Sequence, residues 1–298
     1  MTNAAAIESG WTDCLHRGER PDAESLRSHL LAVHEVHTGF TESCAAGCRD
    51  REGRNSYEWL SEAVPRDAGS VLDMACGSGV LLQVCRRRLG HSVALVGIDM
   101  SPDEVALARA RLPAGGVTLH QALAQSMVPV ADASVDAVLC HWALTLIDPV
   151  APAMAEVGRV LRPGGTFAAI VDGPMEIAPG YAEVDGLIFA AVRQAYPHYG
   201  DIDLGDPRVR DTSALSTLCA EAFPGAEIRI ESSVMTVEGT AKTVASEAAG
   251  FFYAAFVLSP AARAAMLQDL AQQLATQAAG GTCRFHMPVN RLCVRLPS

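Results

Sequence analysis

The stretch Val71-Leu72-Asp73-Met74-Ala75-Cys76-Gly77-Ser78-Gly79 constrains this chain more than any other. Its first residues read as a short buried strand and the glycines as a tight turn. Val80 to Leu89 then reads as a helix stopped by Gly90. Glycine in such a turn lets a ligand approach the backbone, and the helix start presents unpaired amides. Val93 to Ile98 forms a second apolar strand that ends on Asp99, twenty residues beyond Gly79. An acid at that place can accept both hydroxyls of a ribose. The spacing therefore implies a nucleotide-like cofactor on a doubly wound sheet, without saying which one.

The alternation continues downstream. Ser101-Pro102-Asp103-Glu104 is a strong helix start, with a Ser cap, Pro at the first position and acids in the first turn. Val117 to His120 and Asp136 to Cys140 read as strands. Val150 to Leu161 reads as a helix, closed by the breaker cluster Arg162-Pro163-Gly164-Gly165 before a strand from Thr166 to Val171. Short connections between alternating strands and helices give a parallel sheet with helices on both faces. Residues 1–60 look helical, and 173–210 break the rhythm around a helix near 181–195. A further helix at 212–222, an edge strand at 226–235, helices across 240–279 and a last strand at 285–296 follow. The expected organisation is a helical cover over 1–65 on a core of 66–298. Insertions at about 173–210 and 240–280 would form a substrate lid.

Composition narrows the partners. With 49% hydrophobic residues among 298, the chain has material for a large core. A net charge of -11 argues against a broad nucleic-acid face or binding to an anionic membrane surface. A small-molecule partner is the expectation, and a homodimer is compatible with a sequence that sets no interface. The nine scattered cysteines do not form a disulfide framework and read as free thiols. No basic leader precedes an apolar run, and no run approaches the roughly 20 residues needed to cross a bilayer. The expected location is cytoplasmic.

Three motifs resemble, in order, those of class I S-adenosylmethionine-dependent methyltransferases. They are residues 71–79, Asp132-Ala133-Ser134-Val135-Asp136-Ala137-Val138, and Arg159-Val160-Leu161-Arg162-Pro163-Gly164-Gly165-Thr166-Phe167. The resemblance covers about residues 55–172. It implies a Rossmann-like, mostly parallel seven-stranded α/β sheet with the last strand antiparallel, and S-adenosylmethionine as cofactor. It places Asp73 near the methionine amino group and Ala75, Cys76, Gly77, Ser78 and Gly79 in the turn beneath the cofactor. Asp99 would take the ribose hydroxyls and Met100 would lie against adenine. Tyr57 would close over the methionine tail, with Cys140 on the neighbouring strand. Ala124 stands where relatives often carry an adenine-binding acid, so that contact would pass to an amide near Gln125 or Ser126. Ala75 replaces a common glycine, which asks its backbone to avoid a strained dihedral.

Catalytic groups gather at the carboxyl ends of parallel strands. His141 and Asp172 stand there and are the candidate catalytic residues. His141 is the first candidate for a general base; its bland alternative is a local hydrogen bond or a contact to the methionine tail. Trp142, Tyr181, Tyr196, Tyr199, Tyr253 and His286 are the candidate substrate contacts, each with packing as its alternative. No motif requires a metal. The expected activity is methyl transfer to a small organic acceptor, such as a secondary-metabolite precursor or an amino or oxo acid. The competing reading is a catalytically inactive methyltransferase-like binding or interaction protein.

Overall fold

The computed structural model describes residues 6–112, 115–201, 204–278 and 281–298. The expected cover at 1–65 and insertions at 173–210 and 240–280 therefore include residues outside the described set. The strands are β1 (Ser70–Met74), β2 (Ala94–Asp99), β3 (Val117–Gln121), β4 (Val135–His141), β5 (Leu161–Asp172), β6 (Glu227–Gly239) and β7 (Cys283–Arg295). The helices are α1 (Gly10–Arg17), α2 (Ala23–Val36), α3 (Phe40–Gly47), α4 (Ser56–Ser61), α5 (Val80–Leu89) and α6 (Pro102–Arg111). They continue with α7 (Val150–Val160), α8 (Tyr181–Ala195), α9 (Thr212–Ala222), α10 (Ala241–Ala249) and α11 (Pro260–Thr276).

The chain divides into two compact units of interleaved segments. A sheet unit comprises Arg54–Pro174, Leu204–Ser233 and Val289–Ser298, and a helical unit comprises Met1–Gly53, Met175–Asp203 and Val234–Pro288. The seven strands run in the order β3-β2-β1-β4-β5-β7-β6. β1 pairs in parallel with β2 and with β4, and β4 in parallel with β5. β7 is antiparallel to β5, with Thr166 opposite Arg295 and Asp172 opposite Val289. All five residues of β1 are buried, as expected for a strand covered on both faces. Leu72, Met74, Val138, Met154, Val157 and Phe167 belong to the core of this unit.

Polar residues of the second and third motifs pin strand ends. The Asp136 carboxylate accepts from the amides of Gly69 at 2.8 Å and Ser70 at 2.9 Å, and from Arg162 at 2.6 Å. Arg159 ties Asp132 and Glu156 to the Met127 and Val130 carbonyls. Ser101 caps α6 through the Glu104 amide. The breaker cluster is not a separate turn, contrary to expectation. Residues 162–165 are a bulge inside β5: Leu161 pairs with Val135, and pairing resumes at Thr166 opposite Ala137.

Residues from Arg54 onward, α4 included, fall in the sheet unit. Arg291 on β7 explains this anchoring. Its Nη1 donates to the Trp59 carbonyl at 2.8 Å, its guanidinium lies 4.7 Å from the Trp59 ring, and it pairs with Glu231 and Glu62.

In the helical unit, Trp11 stacks on His29 with ring centroids 4.7 Å apart. Ile7, Val33 and Phe256 form a small core with Phe40 and Tyr253 against it. Among the described residues, no helix is long and apolar enough to cross a membrane.

Candidate active site

The glycine turn leaves β1 through three left-handed positions: Ala75 (φ 59°), Gly77 (φ 48°) and Gly79 (φ 80°). The expectation that Ala75 avoids this region is overturned. The turn needs the conformation, and alanine adopts it at a cost that glycine would not carry. Gly79 has a second constraint, because a Cβ there would lie 3.0 Å from Leu112 Cδ1 and 3.1 Å from Ala108 Cβ. The Cys76 amide donates to the Ile98 carbonyl at 2.8 Å, tying the turn to β2. Asp99 completes the tie: one carboxylate oxygen accepts from the Gly77 amide and the other from the Ser101 amide, both at 2.8 Å.

Asp73 is the anomaly of this region. It is 1% exposed, and neither of its carboxylate oxygens has a hydrogen-bond partner. Burial, reinforced by Asp99, holds its proton affinity well above the usual carboxylate range. The Cys76 thiol is raised well above its ordinary value, first by burial and then by Asp73 and Asp99. Its sulfur lies 2.9 Å from where a Gly97 Cβ would stand, so it fills the space that glycine leaves. Burial likewise pushes Cys140 up to about 12, which makes it an inert core thiol.

A second cluster stands at the carboxyl ends of β4 and β5. Helix α4 begins at a capping box, in which the Glu58 amide donates to Asn55 Oδ1 at 2.8 Å and the Asn55 amide to Glu58 Oε2 at 3.0 Å. This start delivers Ser56 and Tyr57 to His141, the last residue of β4. Ser56 Oγ lies 2.8 Å from His141 Nε2, and the Tyr57 ring stacks on the imidazole at 3.8 Å. Burial pushes His141 down to about 3, so the imidazole is neutral across the physiological range.

Trp142 follows in a left-handed conformation (φ 60°). Its indole N–H donates to Asp172 Oδ1 at 3.2 Å, and Asp172 Oδ2 pairs with Arg210 Nε at 3.2 Å. Arg210 Nη2 donates to the Thr145 carbonyl at 3.0 Å, and the Thr145 hydroxyl donates to the Trp142 carbonyl at 2.7 Å. These bonds close a ring. Gly205 (φ 77°) seals it from one side, since a Cβ there would fall 2.3 Å from the Thr145 oxygen.

A methyltransferase domain family matches residues 72–169, which span the glycine turn, Asp99 and the β4 end. The [4+2]-cyclase SpnF superposes with a TM-score of 0.56 at 20% identity, covering 99% of both chains. A phosphoethanolamine N-methyltransferase of Haemonchus contortus, solved with phosphomonomethylethanolamine and S-adenosylhomocysteine, superposes with a TM-score of 0.56 at 17% identity. That match covers 92% of this chain and 60% of that one. This chain has the class I S-adenosylmethionine-dependent methyltransferase fold. Among curated relatives, an uncharacterised methyltransferase of Mycobacterium bovis is 37% identical over 131 residues, 42% of this chain and 49% of that protein. The malonyl-[acyl-carrier protein] O-methyltransferase of Pectobacterium atrosepticum is 32% identical over 149 residues, 48% of this chain and 56% of that protein. The chain thus spans about half the length of these relatives.

The sheet unit holds Tyr57, Asp73, Asp99, Met100, His141, Trp142 and Asp172, with Tyr57 stacked on His141 and Trp142 bonded to Asp172. The Met100 carbonyl accepts from the Gln121 amide group at 3.3 Å. Ala124 is buried, Gln125 reaches the Asp148 carbonyl at 3.4 Å, and the Ser126 amide donates within its own turn to Leu123 at 3.0 Å.

The other substrate candidates belong to the helical unit, each with packing partners there. Tyr181 stacks near Phe252 and Phe285. Tyr196 lies 4.5 Å from the His16 ring and Tyr199 5.5 Å from Trp11. The Tyr253 hydroxyl is 3.0 Å from His34 Nε2, and His286 Nδ1 is 2.9 Å from the Thr236 hydroxyl. His286 and Phe285 also line a cavity of about 370 Å³ with Glu183, Gln277 and Arg284. Sequence reading missed Ser56, Thr145 and Arg210. Only the capping pattern Asn55-Ser56-Tyr57-Glu58 signalled that α4 presents side chains at a fixed angle.

Proposed function

We propose that this chain transfers the methyl group of S-adenosylmethionine to a small organic acceptor. The observation that carries the reading is the orphaned carboxylate of Asp73. A buried acid without donor or counter-charge is costly, and such a group marks a place where a cationic ligand belongs. It stands on β1, four residues before the centre of a turn whose left-handed backbone brings amides close to any ligand. The residues present fit this cofactor. Asp73 would take the amino group, the 75–79 turn would lie beneath the methionine, Asp99 would hold the ribose, and Met100 with the 124–126 turn would border adenine. The activities of two relatives, O-methylation of a malonyl carrier and methylation of demethylmenaquinone, agree in reaction type and differ in acceptor.

When bound, the cofactor supplies a methyl group already activated by its positive sulfur. The chain's task is then alignment and exclusion of water more than proton transfer. His141, neutral and held by Ser56, orients the Tyr57 ring. Asp172, paired with Arg210, fixes Trp142. Both are read here as positioning residues at the acceptor end. An acceptor that needs a base would meet only a weak one in His141.

The test is a metabolite-extract screen with cofactor carrying an isotopically labelled methyl group. Label should enter one small product, with demethylated cofactor formed in equal amount. Label confined to protein or nucleic acid would overturn the acceptor class. Binding of cofactor without any transfer would favour a binding protein, the reading in which neutral His141 and ion-paired Asp172 have no chemical role.

A further inference from the structure

Three acids stand near the glycine turn, and the cation that bonds the turn, Arg111, does so at the Ser78 hydroxyl at 2.9 Å. Asp73 on β1, Asp99 on β2 and Glu104 on α6 are 1%, 8% and 2% exposed. The titratable groups that act on Asp73, or feel its charge, are Asp99, Cys76 in the turn, Cys85 on α5 and Cys140 on β4. Every one is an acid or a thiol. Asp99 has its own donors, the Gly77 and Ser101 amides. Asp73 has none, and both its oxygens are closed to water. A carboxylate there would bear its full desolvation cost beside a second negative charge. The carboxylic acid is the form that such surroundings tolerate.

We propose that Asp73 carries a proton until the α-ammonium of the cofactor arrives, so that cofactor binding is an exchange of one cation for one proton. The proton leaves the Asp73 carboxyl for solvent, the ammonium takes its place, and the charge of the site is unchanged. No covalent bond of the ligand is altered. The exchange rests on the cofactor reading above and adds a selectivity: ligands with the amino-acid tail are bound with proton release, and ligands without it are not. Affinity for the tailed ligands then rises with pH, by about tenfold per unit where the empty site is still protonated, and levels off above.

The test is calorimetry on the full chain near pH 6, in two buffers of different ionisation enthalpy. S-adenosylhomocysteine should release about one proton and 5′-methylthioadenosine, which lacks the tail, none. The affinity for S-adenosylhomocysteine should rise with pH for as long as the empty site is protonated and then level off. Asp73→Asn, checked for fold by circular dichroism, should flatten that rise and abolish the release. Binding of S-adenosylhomocysteine with no proton release, or with a flat pH profile, overturns the exchange while leaving the cofactor reading intact. Equal release with both ligands, or release unchanged in Asp73→Asn, overturns it too. Failure of S-adenosylhomocysteine to bind at any pH refutes the cofactor reading itself. Should Asp73→Asn no longer bind, the pH profile of the unsubstituted protein decides.

Discussion

His141 shows how an environment can change a residue's role. As an exposed imidazole at a strand end it would be the natural proton acceptor. Here burial pushes it down to about 3, and its Nε2 already faces the Ser56 hydroxyl. A base that weak is poorly matched to proton transfer near neutrality. His141→Ala should therefore lower S-adenosylhomocysteine affinity by loosening Tyr57. It should slow methyl transfer by less than the roughly 10²–10⁴-fold loss typical of a general base, with no ionisation removed from the rate profile between about pH 6 and 9. Single-turnover rates across pH check this; disappearance of a titration from the profile would restore His141 as a base. Asp73 and Asp99 were legible in the sequence because each lies at the end of a strand in a recognisable motif, Asp73 just before the glycine turn and Asp99 as the last residue of β2. Ser56 and Arg210 were not, because their partners His141 and Thr145 lie 85 and 65 residues away. Nothing in a local pattern announces such a contact.

At the scale of elements, the glycine turn and the Trp142–Asp172–Arg210–Thr145 ring make opposite demands on substitution. Ala75 pays a left-handed penalty that Ala75→Gly would relieve, giving a net gain of about 0.5–1 kcal/mol after the added unfolded-state entropy. Gly79→Ala meets both a positive φ and the Leu112 and Ala108 side chains, and should lose about 1–3 kcal/mol. Urea titration of the two variants distinguishes them by sign; a loss in both would show that Ala75 is not strained. In the ring, Arg210→Gln and Asp172→Asn should each destabilise, and their double-mutant cycle should show a coupling of about 1 kcal/mol, since both groups are about one-third exposed. Additive effects would mean that the pair does not hold the loop. Most elements could be read from periodicity and caps, including Ser101 before α6, while the antiparallel setting of the last strand came from the motif resemblance. The β5 bulge was not, because Pro and the two glycines signal a break whether the chain leaves the sheet or only bows out of it. The division after Gly53 was also hidden, since Arg291 anchors α4 from the far end of the sequence.

At the scale of the whole molecule, each unit carries a histidine held in its neutral form, His29 fully buried and His141 half-buried. In the helical unit, His29 is fully buried, with Nδ1 3.0 Å from the Ser9 hydroxyl and Nε2 unpartnered, and burial pushes it down to about 4. In the sheet unit, His141 is pushed down to about 3. Both values lie below the ordinary 6.5, so between that value and the depressed ones the unfolded chain binds protons that the folded chain refuses. Stability is therefore unaffected by these groups above about pH 6.5 and falls as the pH drops below it, by up to about 1.4 kcal/mol per pH unit for each histidine, until the folded form protonates as well. Urea titrations of the Asp73→Asn chain, which lacks the opposing contribution of a protonated Asp73, should show a plateau from pH 8 and then this decline down to about pH 5. Followed by a probe in each unit, His29→Gln should flatten the acid limb reported from the helical unit, and His141→Gln the limb reported from the sheet unit. If both limbs flatten together in either variant, the units unfold as one cooperative body. If neither variant changes the decline, the acid sensitivity arises from groups other than the two histidines.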